Sequence, residues 1–162
     1  MRREYAQHDG LSEEHLAADW ATQFGWWFAD AVAAGLPEPN AMVLATADPA
    51  GRPSARTVLL KEYDGGGFTC YTNYDSRKGT EALANPYASL VFPWFAMQRQ
   101  IVVCGRVEAV DRARTEAYFA TRPRGAQLGA WASPQSSVLP DRAALAAGLA
   151  AADRRFPPGA PV

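Results

Sequence analysis

The fold is constrained most by residues 56–78, which read in order as a strand, a turn, a second strand and the start of a helix. Their sequence is RTVLLKEYDGGGFTCYTNYDSRK. Residues 56–61 are apolar and β-rich between two cations. Residues 64–67 tolerate positive φ, which lets the chain reverse. Residues 68–72 are aromatic and β-branched, which predicts a second strand. The segment therefore predicts a hairpin that leads into a helix.

The start of that helix carries an unusual charge pattern. Ser76 is placed to cap the helix, with Arg77 and Lys78 in its first turn. The helix dipole disfavours a cation at this end by about 0.3–1 kcal/mol. Free N–H groups, a hydroxyl and two cations together suit an anion, most simply a phosphate. The alternative is a solvated turn whose long side chains extend into water.

Further short strands indicate a mainly β fold. Residues 41–46, 87–92 and 98–110 read as strands, the last bent at Gly105, and residues 48–51 fit a type I turn. Several antiparallel strands with few helical interruptions predict a small β-barrel with flanking helices. Arg56 and Lys61 have opposite strand parity, so either a bulge intervenes or they address different parts of a ligand.

The flanking helices follow from spacing and caps. Ser12 is predicted to cap a first helix that ends at Gly35. The apolar stripe of this helix comprises Leu16, Trp20, Phe24, Trp27, Phe28 and Ala31. Such a stripe favours packing in the core or at a dimer interface over a cofactor role for the tryptophans. Asp111 caps a helix to about Thr121, residues 126–138 read as an ordered loop, and residues 141–156 form the last helix.

A second anion site is predicted at the end of the helix after Asp111. Tyr118 and Arg122 are four residues apart and share a face if helical geometry persists. Pro123 disfavours that geometry at Arg122 and ends the helix. An arginine fixed there, one turn after a tyrosine, suits an anionic group. The alternative is an arginine that caps the terminal carbonyls.

Length and composition limit the class of protein. The 162 residues predict one domain, with a loose tail over residues 1–11 and a proline-rich end over 157–162. A net charge of −1 argues against general nucleic-acid binding. No apolar run approaches membrane-spanning length and no signal peptide is evident, which predicts a cytoplasmic protein. Cys70 and Cys104 fall in predicted strands and read as buried thiols.

The common catalytic motifs are absent: no HExxH, CxxC, GxSxG, P-loop or GxGxxG occurs. The two histidines lie near the N-terminus, which argues against a histidine-based or metal site. Two candidate phosphate sites without a strong nucleophile indicate that a bound cofactor supplies the chemistry.

Six motifs resemble the pyridoxamine 5′-phosphate oxidase family in order and spacing, and the similarity spans about residues 38–156. They are RTVLLK at 56–61, YTN with SRK at 71–78, NPYASLVFPW at 85–94, RQIVVCGRVE at 99–108, YFATRPRGAQLGAWAS at 118–133 and QSS at 135–137. The resemblance implies an antiparallel six-stranded split β-barrel that binds FMN. It also implies a homodimer with FMN in clefts at the subunit interface.

The resemblance assigns site residues but no catalytic residue and no metal. The implied FMN contacts are Arg56, Thr57, Val58, Leu59, Leu60, Lys61, Tyr71, Thr72, Arg77, Lys78, Gln100, Gln135 and Ser136. Among them, Arg77 and Lys78 would bind the FMN phosphate, as the helix argument predicts, and Gln135 and Ser136 would come from the partner subunit. Lys61, Tyr118 and Arg122 would bind the phosphorylated substrate.

The implied reaction oxidises pyridoxamine or pyridoxine 5′-phosphate to pyridoxal 5′-phosphate. Hydride passes from the substrate to FMN, and dioxygen takes the electrons to give hydrogen peroxide. Ala126 replaces a serine usual in the family, which predicts a loss of roughly 0.5–1.5 kcal/mol in substrate binding. The family's C-terminal strands, with a flavin-packing Trp and an Arg-x-His pair, are expected to be missing after Val162.

Two alternative functions stay open from the sequence. One is a related FMN-dependent oxidoreductase acting on another substrate, because fold and flavin site do not fix the substrate. The other is a truncated protein that binds FMN or pyridoxal phosphate without turnover.

Overall fold

The computed structural model describes residues 11–162, which divide into two compact units. Unit 1 comprises the described residues up to Ala45 together with Ala55–Cys70 and Ala88–Gly105. Unit 2 comprises Thr46–Ser54, Tyr71–Tyr87 and Arg106–Val162. The single domain over residues 1–162 stays a prediction, and His8 and most of the predicted tail lie outside the described residues.

The described residues form six strands, five α-helices and two short 3₁₀ turns. The strands are β1 (Ala41–Ala47), β2 (Pro53–Leu59), β3 (Glu62–Asp64), β4 (Gly67–Thr69), β5 (Tyr87–Trp94) and β6 (Arg99–Arg106). The α-helices are α1 (Trp20–Ala33), α2 (Arg77–Ala84), α3 (Arg112–Thr121), α4 (Arg124–Ala132) and α5 (Arg142–Arg155). No helix among residues 11–162 has the length and apolar content needed to cross a membrane.

The strands form a four-stranded sheet in the order β2-β1-β5-β6 and a separate β3-β4 ribbon. A mainly antiparallel sheet with flanking helices confirms the predicted fold class. The turn between β1 and β2 is the predicted one, with the Gly51 N–H donating to the Asp48 carbonyl oxygen at 2.9 Å. The ribbon reverses beyond the Asp64–Gly67 pair, where reversal was predicted.

Two strand ends differ from the prediction. β2 stops at Leu59, so Lys61 lies outside the strand and the parity of Arg56 and Lys61 needs no bulge. β4 stops at Thr69, so Tyr71 and Thr72 lie in irregular backbone. The physical reason is pairing: the three-residue strands β3 and β4 bond to each other, and their ladder ends at Thr69.

β6 corrects two further expectations. It ends at Arg106 rather than near residue 110 and shows no break at Gly105. Its side chains alternate between half-buried and exposed from Arg99 to Cys104, because successive strand residues face opposite sides of a sheet. Cys104 lies on the exposed face, so the expectation of a buried thiol is wrong there, while Cys70 is half-buried.

The core of unit 1 is an aromatic cluster between α1 and the strands. Phe24 and Phe92 lie 5.1 Å apart between ring centroids, and both also approach Phe68 and Trp94. The buried members are Phe24, Ala31, Met42, Leu60, Phe92 and Trp94. Burial of this apolar area supplies the main driving force for folding of the unit.

The first helix begins later than predicted. Asp19 has extended backbone and its carboxylate accepts the Thr22 N–H at 2.8 Å, so Asp19 is the N-cap of α1. Ser12 precedes only the 3₁₀ turn Glu13–His15, and its hydroxyl contacts His15 instead of capping a helix. Leu16 is therefore exposed outside the helix, whereas the predicted end at Gly35 is correct.

Residues 124–132 form α4, where a loop was predicted from residue 126. Pro123 precedes the helix, a position where its fixed φ is tolerated. The Gln127 side chain donates to the Phe119 carbonyl oxygen at 2.8 Å and so satisfies the end of α3. Gly148 of α5 approaches the Ala132 backbone too closely for a Cβ atom. Packing against α5 thus stabilises a helix whose small residues read locally as loop.

Candidate functional site

The start of α2 is built as predicted. Ser76 is 0% exposed and is the N-cap: its hydroxyl accepts the Gly79 N–H at 3.4 Å and donates to the Asn73 carbonyl oxygen at 2.6 Å. Arg77 and Lys78 therefore occupy the first helical turn. The positive end of the helix dipole and two cations meet there.

Lys78 links this helix start to a distant loop of unit 2. The Lys78 residue is only 8% exposed, and its ammonium donates to Gln135 Oε1 at 2.7 Å and to Ser76 Oγ at 3.3 Å. A buried ammonium needs such acceptors, because its loss of hydration is costly. Two predicted cofactor residues, Lys78 and Gln135, are thus brought together within one chain, whereas the resemblance implies that Gln135 reaches the cofactor from the partner subunit. Ser136 follows with a φ of 70°.

A buried carboxylate supports Arg77 from within the helix. Glu81 is 6% exposed and accepts from the Ser54 hydroxyl at 2.5 Å, the Thr46 hydroxyl at 2.6 Å and Arg77 Nε at 2.8 Å. The hydrogen bonds from Ser54, Thr46 and Arg77, in that order of effect, lower the pKa of Glu81 from 4.5 to about 2. Sequence reasoning missed this network; the four-residue spacing of Arg77 and Glu81 was the available signal.

The lowered pKa of Glu81 predicts an acid-sensitive contribution to stability. The unfolded chain takes up a proton on Glu81 near pH 4.5, whereas the folded chain does so only near pH 2. The stabilisation is therefore complete above the higher of these values and is lost as pH falls through the lower one. In denaturant titrations from pH 6 to 2.5, the free energy of unfolding should fall more steeply with decreasing pH for the wild type than for Glu81→Gln. Parallel curves would contradict the prediction, and Glu116→Gln serves as the exposed control.

Two tyrosines from different predicted sites stack on each other. The rings of Tyr71, predicted to contact the cofactor, and Tyr118, predicted to contact the substrate, lie 3.9 Å apart at an interplanar angle of 4°. Next to Tyr71, the Thr72 hydroxyl oxygen is buried and has no hydrogen-bond partner among the described residues. An unsatisfied buried hydroxyl is costly, and a water molecule or a polar group of a ligand would offset that cost.

Arg122 lies at the end of α3 with extended backbone, φ −71° and ψ 145°. Helical geometry therefore stops at Thr121, as Pro123 predicts, and does not extend to a shared face with Tyr118. The Arg122 guanidinium lies over the Phe119 ring, 5.5 Å from its centroid. The alternative capping role belongs instead to Gln127, which bonds the Phe119 and Ala120 carbonyl oxygens.

The other predicted cofactor residues belong to unit 1. Arg56 Nη1 donates to the Leu44 carbonyl oxygen at 3.2 Å, and the Lys61 N–H donates to the Thr69 carbonyl oxygen at 2.9 Å. Leu60 is buried in the core, and Gln100 is exposed on β6. The remaining residues of this segment, all on β2, are Thr57, Val58 and Leu59.

Solved structures define the class of protein. The chain matches PhzG from Burkholderia lata 383, solved with tetrahydrophenazine-1-carboxylic acid, with a TM-score of 0.85 and 29% identity over 93% of this chain and 78% of that one. It shares the fold of an FMN-binding, pyridoxamine 5′-phosphate oxidase-related protein from Nostoc punctiforme, with a TM-score of 0.62 and 19% identity over 81% of this chain and 72% of that one. The fold is thus the split barrel of pyridoxamine 5′-phosphate oxidase-like proteins.

Sequence comparison narrows this class to one family. The family profile described as pyridoxamine 5′-phosphate oxidase matches residues 28–153. The pyridoxine/pyridoxamine 5′-phosphate oxidase of Salinispora arenicola is 67% identical over the whole chain, which spans 73% of that relative. The chain spans 57% of another curated relative. It belongs to the pyridoxamine 5′-phosphate oxidase family, whose members are FMN-dependent oxidases.

Proposed function

We propose that this chain binds FMN and oxidises pyridoxamine or pyridoxine 5′-phosphate to pyridoxal 5′-phosphate with dioxygen as acceptor. The observation that carries the proposal is the start of α2, where Ser76, Arg77 and Lys78 meet Gln135. The resemblance of residues 71–78 to the family's motif independently supports Arg77 and Lys78 as the residues that would hold the FMN phosphate. The charge at the helix start and the family motif thus support the same two residues.

The residues of unit 2 fit FMN chemically. Arg77 and Lys78 offset the charge of a phosphate, and the first N–H groups of α2 are donors of the kind that phosphates accept. The unpartnered Thr72 hydroxyl, next to Tyr71, supplies a further polar contact of the kind that a flavin would satisfy. FMN, when bound, supplies the hydride acceptor and the route of electrons to dioxygen.

The remaining roles extend the family's pattern to this chain. Residues 56–61 and Gln100 would line the flavin, and Gln135 and Ser136 would complete its site. Lys61, Tyr118 and Arg122 would hold the substrate phosphate and so orient the carbon to be oxidised, an effect worth several kcal/mol of barrier. We propose a cytoplasmic homodimer with FMN at the subunit interface, without a nucleic-acid or membrane partner.

A single assay tests this proposal. The purified chain is incubated with FMN, separated from free flavin, and given pyridoxine 5′-phosphate under air. We expect bound yellow flavin and equal amounts of aldehyde and hydrogen peroxide, because each oxidation passes two electrons to dioxygen. Parallel reactions with pyridoxamine 5′-phosphate and with unphosphorylated pyridoxine test the substrate class.

The other outcomes separate the alternatives. Bound flavin without product from either phosphate would identify a binding protein without turnover. Equal rates of turnover with the phosphorylated and the unphosphorylated substrate would favour a related oxidoreductase that acts on another substrate. No bound flavin would overturn the proposal.

A further inference from the structure

We infer that Glu81 is a positioning residue, which holds the Arg77 guanidinium at the FMN phosphate and is itself fixed by Thr46 and Ser54. This inference rests on the proposed binding of FMN. It adds three residues to the cofactor site that the family motifs quoted above do not include.

The contacts of Glu81 leave its carboxylate little freedom. One oxygen, Oε2, accepts from both the Thr46 and the Ser54 hydroxyls, and the other, Oε1, accepts from Arg77 Nε. Thr46 lies near the end of β1 and Ser54 near the start of β2, so the two ends of one connection converge on one side chain. Charge-assisted hydrogen bonds of this length are among the strongest in proteins.

Arg77 pairs with Glu81 through its Nε atom, and this choice of atom determines which of its other N–H groups can bind a ligand. A guanidinium carries five N–H groups in a rigid plane, and pairing through Nε leaves the two terminal amino groups for another acceptor. The Arg77 side chain is 60% exposed, so those groups are accessible. A phosphate can accept from both at once, which requires a fixed orientation of the plane. The carboxylate of Glu81 provides that orientation.

Comparison with a second ion pair in the chain shows how the Arg77–Glu81 pair differs from an ordinary surface ion pair. Arg112 and Glu116 have the same four-residue spacing at the first position of α3, at 2.6 Å. However, the Glu116 side chain is 63% exposed, whereas that of Glu81 is 6% exposed. An exposed pair of this kind contributes little and holds neither partner firmly. The buried, triply bonded Glu81 is therefore the one suited to orient an arginine.

The first test separates the effect of the position of the Glu81 carboxylate from the effect of its charge. Glu81→Asp keeps the negative charge but withdraws the carboxylate by one methylene group. We expect FMN affinity to fall about tenfold, as for the loss of one well-aligned charged hydrogen bond. Affinity for riboflavin, which lacks the phosphate, should stay unchanged. Glu116→Asp, the matched control, should bind both flavins like the wild type.

A second variant covers the case in which Glu81→Asp folds poorly. Arg77→Ala should weaken FMN binding strongly in the wild type and several-fold less in a Glu81→Gln background, because Arg77 is no longer oriented there. Equal effects in the two backgrounds, or equal losses for FMN and riboflavin, would overturn the inference. A wild type that binds FMN no better than riboflavin would instead overturn the proposed phosphate site.

Discussion

Replacing both Arg77 and Lys78 with alanine is expected to weaken FMN binding by at least about 3 kcal/mol, roughly 150-fold, since each charge-assisted bond contributes about 1.5–3 kcal/mol. The variant removes both cations from the start of α2 and leaves Gln135 without its Lys78 partner. Titration of flavin-free protein with FMN, followed by flavin fluorescence, measures the change. Riboflavin affinity should change much less, because riboflavin carries no phosphate.

The matched control removes the same charge elsewhere. Arg112→Ala combined with Arg142→Ala takes one cation from the first turn of α3 and one from that of α5. FMN affinity should stay within about twofold of the wild type, since both arginines are exposed and solvent screens their charges. An equal loss in both double variants would show that net charge, rather than the α2 site, controls binding.

This control also separates α2 from the other helices that begin with an arginine. Within residues 11–162, α2 is one of four helices that begin with an arginine, the others starting at Arg112, Arg124 and Arg142. A cation at a helix start is therefore not a specific signal in this chain. What distinguishes α2 is burial: Ser76, Lys78 and Glu81 are all shielded from solvent, and burial depends on the fold.

Phe92→Ala is expected to lower the free energy of unfolding by about 3–5 kcal/mol, the usual cost of an aromatic-to-alanine change in a core. Phe92 is 0% exposed, and its ring lies 5.1–5.8 Å between centroids from those of Phe24, Phe68 and Trp94. Truncation leaves a cavity that these rings cannot fill without moving. Equilibrium unfolding in urea measures the loss.

Phe95→Ala is the companion control, three residues further along the chain. Phe95 is 80% exposed, so its truncation should change stability by less than about 0.5 kcal/mol. Similar losses for the two variants would contradict the assignment of the core to the α1-facing aromatic cluster.

Features set by neighbouring residues were predictable from the sequence. The caps Ser76, Asp111 and Asp141 each bond an N–H three residues ahead, and the turn at residues 48–51 closes on itself. The predicted start of α1 was wrong because Ser12 and Asp19 offer similar local signals for a cap, and only Asp19 accepts a backbone N–H of the helix. The Glu81 network was not predictable, because Thr46 and Ser54 lie 35 and 27 residues away along the chain.

The convergence of Thr46 and Ser54 on one carboxylate also limits how the connection between β1 and β2 can vary. Its tip, around Pro49 and Ala50, is exposed and can accept many substitutions. Its length is more restricted, because an added or deleted residue would shift one hydroxyl relative to the other. Surface hairpins usually tolerate insertions, but an insertion here would displace the buried Glu81 carboxylate and with it the Arg77 side chain that we propose to bind the FMN phosphate.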